Sequence, residues 1–361
     1  MCAVSPPRRA SATSPAALRD GVRTLYPGYF ALVMATGIVS IALAGFAAPV
    51  LSTALLWIAA GAYGLLLALL VWRALAYRAD LARDLRHPAR GFGMFTLVAA
   101  TNVLGTRLAM DGHVRTATVL LDAGTLLWLV LGYAIPWAVL ASVRRPVVAA
   151  AEGTWFIWVV ATQSVAVLAA SLEPDLPGVR RELALLAVSC WAIGTFLYVV
   201  VGGLVVARLV LYDVAAEHLT PPYWVSMGAA AITVVSGVRI TRMAAAPALL
   251  PTGGLIAGIS VLFWAFASWL VPVLLGIGWR RHVTHRLPLR YEPALWSIVF
   301  PLGMYAVASR TLGSTLHLPI VSTVGSVEVW VAAAAWAAVA AAGVTRLARR
   351  SRDRAFSRPV P

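Results

Sequence analysis

The chain has 361 residues, of which 61% are hydrophobic and only 12% are charged, and its mean hydropathy is +0.84. This composition excludes an ordinary soluble globular domain and is typical of a polytopic helical membrane protein. The formal net charge of +15 would suggest a nucleic-acid partner in a soluble chain, but here the basic residues are sorted by loop and no such partner is expected.

Ten apolar segments long enough to cross a bilayer follow one another along the chain. They cover about residues 27–46, 50–73, 92–110, 117–142, 154–171, 182–208, 222–243, 252–277, 293–310 and 324–347. The membrane domain is therefore predicted at 25–348, between disordered tails at 1–24 and 349–361.

Most of the arginines fall on one side of these segments. The N-terminal tail, alternate connections and the C-terminal end are arginine-rich, whereas the opposite loops hold only Arg115, Arg180 and Arg181. By the positive-inside rule, both termini are predicted to be cytoplasmic. We therefore expect a multi-pass protein of the plasma membrane, the inner membrane of a bacterium.

A seven-residue pattern recurs near the middle of alternate segments: an aromatic residue, five mostly apolar residues and a threonine. It reads FALVMAT at 30–36, FTLVAAT at 95–101 and FIWVVAT at 156–162, and MGAAAIT at 227–233 continues it. Steps of 65, 61 and 71 residues predict a fifth unit near residue 299, within WSIVFPLG. This period equals one helical hairpin, so the pattern predicts five hairpins in a pseudo-symmetric assembly around a path.

Polar or small residues at the centres of the odd-numbered segments are the candidates for lining that path. They are Thr36, Gly37, Thr101, Asn102, Thr162, Gln163 and Thr233. Buried amides and hydroxyls at this depth need a hydrogen-bond partner or water. Two interpretations stay open: these side chains line a pore or cavity, or they join packed helices, with each threonine also bonded to its own backbone.

Four arginines lie near the outer ends of odd-numbered segments: Arg107, Arg239, Arg242 and Arg310. Ion pairs across the hairpin tips are predicted to join Arg107 to Asp122 and Arg310 to Glu328. No acid follows Arg239 or Arg242 nearby, so we expect these two to attract anions at an outer mouth.

Catalytic chemistry has little support in the sequence. All six histidines lie in or beside loops, the two cysteines have no metal-ligand spacing, and no HExxH, Walker or GxSxG arrangement occurs. We expect no enzyme activity, no cofactor and no metal. Asp122 is the only acid well inside a segment, which argues against a cation pathway and favours an anion.

Two segments carry a family resemblance: YPGYFALVMATGIVS at 26–40 and EPALWSIVFPLGMYAVAS at 292–309. They resemble the tellurite-resistance/C4-dicarboxylate transporter family, which includes fungal malate and sulfite transporters and plant guard-cell slow anion channels. The resemblance covers about residues 25–345. It implies ten helices as five hairpins, a quasi-five-fold pore of odd-numbered helices, and a homotrimer with one pore per subunit.

The resemblance also implies a phenylalanine plug on the ninth helix, which is Phe300, followed by Pro301; the repeat leads to the same position. The implied function is transport of a small anion, such as malate, another C4-dicarboxylate, or sulfite. A proton-coupled dicarboxylate carrier and a membrane-embedded enzyme or scaffold without transport remain as alternatives.

Overall fold

The computed structural model describes residues 15–46, 48–142, 146–244 and 253–356. Thirteen α-helices lie in these ranges. They are α1 (Pro15–Arg23), α2 (Ala31–Ala44), α3 (Pro49–Ala76), α4 (Arg78–Arg86), α5 (Pro88–Gly93), α6 (Phe95–Met110), α7 (Val114–Ser142), α8 (Phe156–Leu172), α9 (Arg180–Leu211), α10 (Val225–Thr241), α11 (Gly253–Trp279), α12 (Trp296–Thr315) and α13 (Pro319–Phe356).

Ten stretches of the described residues are long and apolar enough to cross a membrane, which confirms the predicted all-α polytopic class. They run from Pro27–Ala44, Pro49–Ala76, Pro88–Met110, Val114–Ser142 and Gly153–Asp175 to Pro177–Leu211, Pro221–Thr241, Gly253–Thr284, Pro293–Thr315 and Pro319–Arg346. The connections at 77–87, 146–152, 212–220 and 280–292 lie on one side, which we call the arginine-rich side because 77–87 and 280–292 carry arginine clusters. The opposite, short-connection side carries 111–113 and 173–179.

Alternate helices differ sharply in burial. In the odd-numbered stretches, 67–89% of the most apolar window is buried, compared with 11–39% in the even-numbered stretches. We call α2, α6, α8, α10 and α12 the inner helices and α3, α7, α9, α11 and α13 the outer helices. The outer helices present their apolar side chains outward, as expected of lipid-facing surfaces.

The helix contacts run in one closed cycle. The inner helices pack in the order α2, α6, α8, α10, α12 and back to α2. Each outer helix packs against the inner helix of its own hairpin and also against the inner helix of the next hairpin. Small residues allow this close approach, as at Gly37, where an added Cβ would lie 2.7 Å from Val103.

A short leading segment precedes each inner helix on the arginine-rich side. These segments are Pro27–Phe30, α5, Gly153–Trp155, Pro221–Trp224 and Pro293–Leu295. Most carry proline in their first turn, where the missing N–H costs nothing. The segments also contact one another in a closed cycle, below the cycle of inner helices.

Helix α1 covers residues 15–23 of the predicted N-terminal tail, and α13 extends through residues 349–356 of the predicted C-terminal tail. Arg73, 2% exposed, donates to the carbonyls of Arg23 and Leu25 and pairs with Asp84 at 2.7 Å, which anchors the chain after α1. Arg23 also donates to Asp80 and lowers the pKa of that carboxyl. Residues 1–14 and 357–361 lie outside the described residues.

Candidate functional site

A small cavity lies among the inner helices, from their midpoints toward the short-connection side. Its volume of about 20 Å³ leaves room for about one water molecule. All five inner helices contribute to its wall. The lining residues are Ile38, Ile41, Asn102, Val103, Thr106, Ser164, Val167, Ile232, Val235, Arg239, Met304 and Val307.

Arg239 is the charged member of this lining. Its Nη1 donates to Ser171 Oγ on α8 at 2.7 Å, and its Nε is buried without a hydrogen-bond partner. Within the described residues, no carboxylate forms a salt bridge with it. The guanidinium charge is therefore not neutralised locally, and the cavity has a positive potential.

Phe300 lies one turn beyond the cavity, toward the arginine-rich side. It is 0% exposed, and helical spacing puts it on the face of α12 that carries Met304 and Val307. Pro301 packs against α10 at Gly228, where an added Cβ would lie 3.0 Å from Pro301 Cγ. Phe300 and Pro301 thus occupy a tightly packed apolar level at the end of the cavity.

The repeat threonines are bound by aromatic side chains from the outer helices. Each hydroxyl donates to the carbonyl four residues earlier in its own helix. An outer-helix side chain of the preceding hairpin then donates to the hydroxyl or, at Thr233, to the carbonyl. The pairs are Trp336–Thr36, Tyr63–Thr101, Trp128–Thr162 and Trp191–Thr233, at 2.8–3.1 Å.

Helix α12 has an equivalent link without threonine, because Trp264 of α11 donates to Ser309 Oγ at 2.9 Å. Thr36, Thr101, Thr162 and Thr233 do not line this cavity, and their polar atoms contact the outer helices instead. The alternative interpretation, in which they join packed helices, describes their contacts.

Among the remaining lining candidates, the structure brings only Asn102 to the cavity. Asn102 Nδ2 donates to Ser164 Oγ at 2.9 Å, which links α6 to α8. Gln163, which follows the next repeat threonine, lies between helices instead: its Nε2 donates to the Trp191 carbonyl at 3.2 Å, and its Oε1 accepts from Ser236. Gly37 faces α6 rather than the cavity.

The predicted pair of Arg107 with Asp122 is wrong. Arg107 Nη1 lies 2.5 Å from Asp111, the residue directly after the end of α6, and the guanidinium also donates to Ser40 and Ser52. Asp122 is exposed on α7. Asp111 follows Arg107 by four residues, about one helical turn, and this spacing brings the two side chains together at the end of α6.

Arg310 does not pair with Glu328 either. Its Nη1 donates to the Ala42 carbonyl at 3.2 Å, its Nη2 donates to the Gly45 carbonyl, and its guanidinium lies over the Phe46 ring. The carbonyls at the end of α2 have no intrahelical donors, so they attract this cation. Arg310 thus ties α12 to α2.

Arg242, predicted beside Arg239, lies outside the cavity. It is exposed, and its Nη2 donates to Ser314 and Thr315 at the end of α12. Only Arg239 of the two predicted anion-attracting residues lines the cavity.

Two polar lining residues were absent from the predicted set. Thr106 comes four residues after Asn102, and that spacing could have placed it on the same helix face. No spacing in the sequence indicates Ser164. It directly follows Gln163, which was predicted to line the path but lies between helices. In the described ranges, no three His, Cys, Asp or Glu side chains lie close enough together to hold a metal ion.

Comparison with known proteins identifies the family. Residues 24–344 match the family model described as SLAC1, voltage-dependent anion channel. An uncharacterized membrane protein of Mycobacterium tuberculosis is 59% identical over 141 residues, covering 39% of this chain and 72% of that protein. An uncharacterized transporter of Methanocaldococcus jannaschii is 23% identical over 325 residues, covering 88% of this chain and 92% of that protein. The predicted resemblance is confirmed, and the chain belongs to the SLAC1 family of voltage-dependent anion channels.

Proposed function

We propose that the chain conducts small anions through a path along the common axis of its inner helices. The observation that carries this proposal is the cavity, because all five inner helices line it and its charged side chain is an arginine without an acid partner in the described residues. A cation in such a wall compensates an anion for lost hydration. Membership of an anion-channel family supports the same function.

Phe300 blocks this path. Its complete burial on the cavity face of α12 supports the assignment, as does the fit of Pro301 against Gly228, which fixes the helix there. An aromatic ring at a narrow apolar level excludes both an ion and its hydration water. The path is therefore closed at Phe300 until α12 or the ring moves.

The closed cycle of helix contacts supports a quasi-five-fold arrangement around this path. Since one chain supplies all five inner helices, each subunit carries its own path, and the family resemblance supports a homotrimer. The arginine-rich side faces the cytoplasm of a bacterial cell by the positive-inside rule. Ten crossings, an even number, support the same side for both ends of the membrane domain.

The permeant species is a small anion such as malate, another C4-dicarboxylate, sulfite or a further inorganic anion. A proton-coupled carrier has less support, because the cavity lining contains no carboxylate. An enzyme or scaffold without transport has no feature in its favour among the described side chains.

Electrical measurement on the purified chain in planar bilayers tests the proposal. Reversal potentials under gradients of potassium malate, sulfite, nitrate and chloride should follow the equilibrium potential of the anion. A potential that follows potassium, or proton flux alone, would overturn the assignment. Reversal potentials measured with two different anions on opposite sides of the bilayer then rank the anions.

A further inference from the structure

Three cavities meet at Tyr291 and Arg346 on the arginine-rich side, away from the central cavity. The first, of about 250 Å³, includes Arg281, His282, Arg290 and Glu292 in its wall. The second, of about 490 Å³, adds Arg349. We call these two the basic cavities.

The third cavity is an apolar crevice of about 490 Å³ at the seam between the fifth and first hairpins. Its wall includes Leu32, Ile58, Trp336, Ala340 and Val344. Ile58 is 49% exposed and Val344 is 66% exposed, so the crevice faces the surrounding bilayer. It extends from Thr36, near the middle of α2, to Arg346.

The arginines of the basic cavities lack acid partners in the described part of the chain. Arg281 Nη1 donates to the carbonyls of Glu217 and Leu219, and its Nε is buried without a partner. Arg346 donates to the Tyr291 carbonyl and stacks over the Tyr291 ring. Glu292 is the lining acid, so the cavities keep a net positive charge.

We propose that an anionic phospholipid binds at this seam, with an acyl chain in the crevice and its phosphate at Arg290 and Arg346. A free phosphate ion would use the basic cavities alone and leave the crevice without a role. An uncharged or zwitterionic lipid would not match the arginines. Tyr291 and Arg346 line all three cavities, and therefore stand where the glycerol backbone joins headgroup to chain.

The site is separate from the proposed conduction path, because none of its lining residues borders the central cavity. It lies against the segment that leads into α12, since Pro293 and Trp296 line the crevice. A bound lipid therefore contacts the first turn of α12, the helix that also carries Phe300. Its binding can be measured without any transport assay.

Native mass spectrometry of the full chain in detergent tests the proposal, with phosphatidylglycerol and phosphatidylcholine of identical acyl chains as probes. We expect phosphatidylglycerol to bind preferentially. Arg290→Gln combined with Arg346→Gln should weaken its affinity about 30-fold, since two interfacial charges are lost. The matched control is Arg280→Gln with Arg286→Gln, two exposed arginines of the same connection outside the cavities, which should leave affinity nearly unchanged.

Arg290→Gln alone provides a second variant, because Arg290 has an exposed side chain whose loss leaves the helices intact. It should weaken phosphatidylglycerol binding roughly fivefold. Ala340→Trp should fill the crevice and weaken binding of both lipids. Equal binding of the two lipids, or equal losses in the paired and control variants, would overturn the proposal.

Two further outcomes would identify another occupant. If millimolar inorganic phosphate displaces phosphatidylglycerol completely, the basic cavities hold a soluble anion and the lipid assignment is wrong. If Ala340→Trp dissociates an oligomer while lipid binding is retained, the crevice is a contact between copies of the chain.

Discussion

Trp336 on the last helix donates a hydrogen bond from its indole Nε1 to the hydroxyl of Thr36 at 2.9 Å, across 300 residues of sequence. The same kind of link joins the other repeat threonines to the outer helix of the preceding hairpin. Here the preceding hairpin is the last one, so the contact closes the cycle. Each repeat threonine therefore connects its own hairpin to the preceding one by a hydrogen bond. Because every pair of neighbouring hairpins needs such a contact, the threonine lies at the same depth in each unit.

Replacing Thr162 by valine should test this role, because valine keeps the shape and removes the acceptor for Trp128. The buried indole N–H loses its partner, so we expect a stability loss of about 1 kcal/mol, the scale of interhelical hydrogen bonds in membranes. Thermal unfolding in detergent measures it. Thr118→Val is the control, because the Thr118 hydroxyl bonds only to the Val114 carbonyl of its own helix. Altered anion selectivity at unchanged stability would return Thr162 to the path.

Phe300→Ala should raise anion conductance about tenfold or more, which corresponds to a barrier lower by about 1.4 kcal/mol. Removing the ring opens the apolar level below Met304 to water and ions. Single-channel or macroscopic current in planar bilayers measures the change. The substitution also creates a cavity, so we expect a lower unfolding temperature.

Phe95→Ala separates these two effects. Phe95 is also fully buried, but its ring packs against Phe92 and Trp158. This variant should lose comparable stability without gaining conductance. A similar gain in both variants would mean that general loosening, and not an open gate, raises the current.

Arg239→Gln and Arg242→Gln should differ in their salt dependence. The buried charge of Arg239 is weakly screened, so its loss should reduce anion flux about tenfold in dilute and concentrated salt alike. Arg242 is exposed, and its effect should fade as the Debye length falls from about 30 Å at 0.01 M to about 3 Å at 1 M. Flux into liposomes at both salt concentrations measures this. Parallel fading in both variants would place Arg239 outside the path.

Arg107→Gln should destabilise the fold by about 3 kcal/mol, because it removes a buried guanidinium that donates to Ser40 and Ser52 and pairs with Asp111. Asp111→Asn should cost about 1 kcal/mol, since that carboxylate is partly exposed. Asp122→Asn should have no measurable effect on thermal unfolding. A large cost at Asp122 and none at Asp111 would restore the predicted tip-to-tip pair.

The sequence predicts well at which membrane level each landmark residue lies, but it predicts poorly which way the side chain of that residue points. A period of about 65 residues places each landmark at the same level of its helix, and hydropathy alone predicts ten crossings. Each residue step turns a helix by about 100°, however, so a shared level does not say which face points to the axis. Thr101 and Asn102 are neighbours, yet the first binds outer-helix Tyr63 and the second borders the cavity.

Side-chain length explains a second difference. Gln163 and Asn102 both follow a repeat threonine and both donate toward a neighbouring helix. Both bond a serine of the next inner helix, Asn102 to Ser164 on α8 and Gln163 to Ser236 on α10, and the longer Gln163 side chain also reaches the Trp191 carbonyl on α9. The sequence similarly did not determine the partner of Arg107. Asp122 lies at a similar depth on the next helix, whereas Asp111 follows Arg107 by only one helical turn.

Gly228→Ala should displace the gate helix without touching Phe300 itself. The new Cβ would lie 3.0 Å from Pro301 Cγ and 3.2 Å from Pro301 Cα, closer than ordinary packing allows. The proline ring is rigid, so α10 and α12 must separate, at a cost of about 1–3 kcal/mol. Because Phe300 adjoins Pro301, separation of the two helices widens the path at Phe300, and we expect a higher conductance with a lower unfolding temperature.

The control is Gly203→Ala, at an exposed position of α9 where an added Cβ meets nothing within 4 Å and the helix should gain up to about 1 kcal/mol of stability. Unchanged conductance and stability in Gly228→Ala would show that the Pro301 contact does not hold the gate closed.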